Sequence, residues 1–111
     1  TALEALARLY ATEEKWEMLV DVNRILATES DSDPEWISSM LNIAHLLDRK
    51  LNRPDEALEF YGEVREVDPT NGEALLRSAA ILEKRGDPRS EHFKNLYRLS
   101  SSPPPPGSPT H

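Results

Sequence analysis

The chain has 111 residues, 38% of them apolar, which suffices for one domain with its own core and not for two. Its 13 Lys and Arg against 20 Asp and Glu leave a net charge of −7, which argues against a nucleic-acid groove. The absence of cysteine excludes a disulfide framework, a thiol nucleophile and a thiolate metal site, and no apolar run approaches the ~20 residues that span a bilayer.

Apolar positions recur at steps of three and four, the spacing of helices that bury one face. A first helix is expected over 2–12, where Leu6, Ala7 and Tyr10 follow an apolar opening. The second, over 14–29, aligns Trp16, Leu19, Val20 and Leu26, with polar Asn23 interrupting the stripe. The third, over 34–51, aligns Trp36 or Ile37 with Met40, Ile43, Ala44, Leu47 and Leu51. Ala57, Leu58, Tyr61, Val64 and Val67 mark the fourth, over 54–67. Leu75, Ser78, Ala79 and Leu82 mark the fifth, over 71–85, and a sixth is expected over 88–99. No run alternates strictly in the manner of a half-buried strand, so the fold class is all-α.

Short polar segments separate these helices: Asp33-Pro34, Asn52-Arg53-Pro54, Asp68 to Gly72, and Gly86-Asp87-Pro88. Asp33 and Asp87 are expected to cap helices by accepting a backbone N–H, with proline in the first turn, where its missing donor costs nothing. Gly86 suits a left-handed helix stop. Loops this short lay consecutive helices antiparallel. Composition changes at Ser100, because Pro103, Pro104, Pro105, Pro106 and Pro109 crowd the last residues and no Asp, Glu, Lys or Arg follows. The organisation read here is a helical domain over 1–99 and a flexible Pro/Ser-rich tail over 100–111. That tail reads as a linker or terminus, with a ligand for an aromatic proline groove as the alternative. Beginning at Thr1 without methionine, the chain reads as an excised piece or a processed product.

The segments repeat. Asp33-Pro34 returns as Asp68-Pro69 after 35 residues, Pro54 returns as Pro88 after 34, and small residues return at Ala7, Ala44 and Ala79, after 37 and 35. On these residues the chain resembles the tetratricopeptide repeat family, in about three degenerate copies over residues 1–99. The middle copy is the clearest, with Ala44, then Ala57, Tyr61 and Val64, then Pro69 at the family's small, aromatic and terminal-proline positions. Leu19 and Asn23 depart from the pattern in the first copy, and Glu91 and Asn95 depart in the third. The resemblance implies about six helices in antiparallel pairs, stacked as a short right-handed superhelix whose last helix acts as a cap.

Chemistry-bearing motifs are sparse. His45, His92 and His111 are too far apart to form a two-histidine helical face. Gly62, Gly72, Gly86 and Gly107 are isolated and form no phosphate loop. The carboxylate pairs Glu13-Glu14 and Asp55-Glu56 fall in expected first turns, where acids meet the helix dipole. No enzyme activity, cofactor or metal is expected.

What the resemblance implies instead is a groove lined by the first helix of each pair. Its positions here are Glu4 and Arg8; then Ser38, Leu41, Asn42, His45 and Arg49; then Glu73, Leu76, Arg77, Ala80 and Lys84. One subfamily clamps the C-terminal carboxylate of chaperone tails with Lys, Asn, Asn, Lys and Arg. Asn42 and Arg77 match two of those five, but acids Glu4 and Glu73 replace both lysines and would repel an anionic tail. The expected role is a cytoplasmic scaffold or adaptor that holds a peptide or helix from a protein partner, without nucleic acid or membrane insertion. The alternative is a fragment of a longer solenoid that stacks, or forms a homodimer, through its terminal helices.

Overall fold

Local chemistry sets where the helices start and stop. The computed structural model describes residues 2–101, the last by its backbone alone. Six helices and no strand occur among them: α1 (Ala2–Thr12), α2 (Trp16–Thr28), α3 (Asp33–Arg49), α4 (Pro54–Val67), α5 (Gly72–Lys84) and α6 (Arg89–Ser101). The all-α reading holds, and several boundaries move for identifiable reasons. α2 begins at Trp16 because Glu14 turns left-handed at φ 56°. The cap of α3 is Ser32 and not Asp33: Ser32 has extended backbone, and its hydroxyl accepts from the Glu35 N–H at 3.4 Å. Asp33 already stands inside the first turn beside Pro34. α3 stops at Arg49, because Asn52 turns left-handed at φ 54° and the Arg53 N–H donates to the Leu47 carbonyl at 2.7 Å.

At the other end of the chain the expected punctuation is in place. Gly86 takes φ 72°, and the Asp87 carboxylate accepts from the Arg89 N–H at 2.9 Å. Asn71 caps α5 by accepting from the Ala74 N–H at 2.9 Å. Ser100 and Ser101, grouped with the tail by composition, belong to α6. The rest of the expected tail, 102–111, lies outside the described residues.

Each helix packs on the next in chain order, from α1 against α2 to α5 against α6. The stripes inferred from spacing are largely those that face inward. Ile43, Leu47, Tyr61, Val64, Leu75 and Leu82 are among the fully buried side chains. Burying one such aliphatic side chain contributes about 1.5–3 kcal/mol. Ala44, Ala57, Ala74 and Ala79 are buried beside them, where a small side chain admits close helix approach. Val67 is the exception on its stripe: it is the last residue of α4 and remains 45% exposed.

The core divides in two. Residues from α2, α3, α4 and α5 form the larger cluster, while Leu75, Ala79, Leu82 and Phe93 join α5 to α6 in a smaller one. The Arg65 guanidinium covers the Phe93 ring at 4.3 Å, and the Tyr97 ring occupies the space that a Cβ on Gly72 would meet at 3.1 Å. No helix among the described residues is long and apolar enough to cross a membrane.

Candidate functional site

None of the twelve groove positions is buried: Leu41, His45 and Arg77 are half-buried and the others exposed. Three of them come together. Glu4 of α1 and Ser38 and Asn42 of α3 line an open depression of about 730 Å3, with Ala7, Asn23, Leu26 and Ser39 also on its wall. Arg8, Leu76, Ala80 and Lys84 do not border this depression.

Asn23 is the residue that sequence reasoning missed here. It is 5% exposed, donates through Nδ2 to the Leu19 carbonyl at 2.9 Å, and accepts at Oδ1 from Asn42 Nδ2 at 3.5 Å. A buried amide must satisfy its polar atoms, and the two asparagines do so across α2 and α3. The sequence did carry a signal: Asn23 was the one polar break in an apolar stripe. With the serine hydroxyls nearby, this wall presents both donors and acceptors, the complement of a peptide backbone.

A second group forms where α3, α4 and α5 meet. Tyr61 is 0% exposed, and its hydroxyl has no hydrogen-bond partner among the described residues. Burial first, and then the Asp48 carboxylate, push its pKa up from 10.0 to about 12. Glu73 adds to this, while Arg77 and Arg49 act in the opposite direction. Arg49, Glu73 and Arg77, named separately from sequence, therefore surround one buried hydroxyl. Asp48 lies 4.0 Å from Arg49, and Arg77 makes no ion pair among the described residues. A guanidinium without a carboxylate partner is suited to a carboxylate from outside. No group of three His, Asp or Glu side chains among the described residues is arranged to hold a metal ion.

No family model, curated protein or solved structure matches this chain.

Proposed function

We propose that the protein is a non-catalytic interaction module of tetratricopeptide type, an adaptor or scaffold whose groove across α1, α3 and α5 holds a peptide or helix from another protein. One observation carries the reading: Glu4, Ser38 and Asn42, chosen by repeat position on two different helices, share the wall of a single depression. The asparagine and serine side chains there would bond to a ligand backbone, and Arg77 with Arg49 would meet an acidic side chain.

The test starts from peptides selected against the protein from a displayed random library. Their affinities are then measured by calorimetry for the wild type and for the Ser38→Arg, Asn42→Ala and Arg77→Glu variants. Weakening by about tenfold or more in Ser38→Arg, which fills the depression, is the expected result. Equal affinity for all four proteins would place the ligand elsewhere.

A second reading, stacking or dimerisation through the terminal helices, is favoured by large apolar side chains left exposed on α1 and α2. Leu9 is 50% exposed, Met18 49% and Ile25 45%. Leu3 and Leu6, also on α1, are half-buried. The more informative variant is therefore Leu9→Glu with Met18→Lys. Light scattering should show a concentration-dependent mass that the double variant abolishes; a wild type that stays monomeric at every concentration defeats this reading.

A further inference from the structure

α3 presents two unlike sides. Ser38 and Asn42 follow one stripe toward the depression described above, whereas Trp36, Met40 and Ile43 follow another roughly opposite. On that second side Trp36 borders two adjoining hollows. One, of about 420 Å3, is walled by Ala27, Met40, Phe60 and Glu63; the other, of about 300 Å3, by Asp31, Asp33 and Val67. Trp36 and Phe60 are only partly buried, and Val67 is 45% exposed. The floor is thus apolar and aromatic, the composition that dominates binding energy where proteins meet.

The margin of this surface is acidic. Glu63 also borders the outer face of α4, where Glu59 and Glu66 continue the charge along one helix side and Arg65, whose guanidinium lies over the Phe93 ring, stands beside them. Asp31, Asp33, Glu59 and Glu63 make no ion pair among the described residues, whereas Glu17, Asp55 and Glu83 elsewhere are paired with Arg53, Arg85 and Lys94. The cation at the hollow, Arg24, lies over the Phe60 ring at 5.4 Å. An aromatic floor inside a rim of carboxylates that form no ion pair among the described residues complements one kind of ligand.

We propose that this surface docks a basic amphipathic segment of another protein. Its apolar side chains enter the hollows on either side of Trp36, and its Lys or Arg residues meet Asp31, Asp33, Glu59 and Glu63. The site is separate from the groove and does not depend on the groove's having a ligand.

The probe is a synthetic amphipathic peptide of leucine and lysine, titrated into the full chain while the two indole N–H resonances are followed by NMR. Trp16 serves as the internal control, because Lys50 covers its ring at 5.0 Å. The Trp36 resonance should move saturably and the Trp16 resonance should stay in place. Glu59→Lys combined with Glu63→Lys should weaken binding by about tenfold, since like charges then face the peptide. Val67→Ser should weaken it less. The proposal is overturned if both indoles respond alike, if the paired lysine substitutions leave the affinity unaltered, or if a leucine–glutamate peptide binds equally well. Self-association of the protein, seen as movement of the Trp36 resonance on dilution without peptide, would also overturn it by showing a second copy to be the occupant.

Discussion

α1 is mostly leucine and alanine yet contains no buried residue, whereas α6, polar along most of its length, buries Phe93 and Ser90. The two helices stand at opposite ends of the row, each with a neighbour on one side. α6 turns three of its apolar residues to that side, Phe93 entering the smaller core with Leu96 and Tyr97 packed against it, while Leu99 is 78% exposed. α1 turns Ala7 and Tyr10 toward the larger core and leaves Leu9 half in water. Apolar content therefore does not decide burial at the end of a helical array; which side chains face the single covering neighbour does.

Mutation at the two ends makes this contrast quantitative. Phe93→Ala should lower the unfolding free energy by about 3 kcal/mol, the range for deleting a buried aromatic ring. Urea denaturation of the wild type and variant measures it directly. The stop before α6 should matter less. Gly86→Ala puts a side chain at φ 72° and should cost about 1–2 kcal/mol, although no atom lies within reach of the new Cβ. Asn71→Ala removes the cap of α5 and should cost about 1 kcal/mol in the same assay. At the α1 end, Leu9→Ala should change stability by no more than about 0.5 kcal/mol. A loss as large as that of Phe93→Ala would break the comparison, because the outer face of α1 would then be covered in solution.

Much of the contrast was legible before any coordinates, and what was hidden is of one kind. Helical stripes are local, so Ile43, Ala44, Leu47, Ala57, Tyr61 and Val64 could be placed inward from spacing alone. Left-handed turns at Glu14 and Asn52 were not foreseen, since neither is glycine and each depends on how the next helix docks. The Ser32 cap was masked by Asp33, an equally good capping type one residue on. For the candidate site, repeat position named Glu4, Ser38 and Asn42, which border one depression, but pairing Asn23 with Asn42 requires knowing that α2 and α3 pack side by side. The acid and arginine ring at Tyr61 likewise joins three helices, and each of its members looks like an ordinary surface charge in one dimension.

Tyr61 tests the centre of the row, where helices cover a side chain from both directions. At neutral pH, Tyr61→Phe deletes a hydroxyl that has no hydrogen-bond partner, so stability should change little. The difference emerges in alkali. The folded protein holds the Tyr61 proton up to a pKa of about 12, while the unfolded chain releases it near 10.0. Below that lower value both states are protonated, and the contribution of the hydroxyl to stability is complete. As the pH rises through the window between the two values, the unfolded state gains by ionising first, and the wild type loses stability that the phenylalanine variant keeps. Lysine titrations affect both proteins alike and cancel in the difference. Urea midpoints of the pair, measured from neutral pH into that window, should therefore diverge in favour of Tyr61→Phe. A constant gap would mean that the hydroxyl reaches water, and that the centre of the row is no better covered than its α1 end.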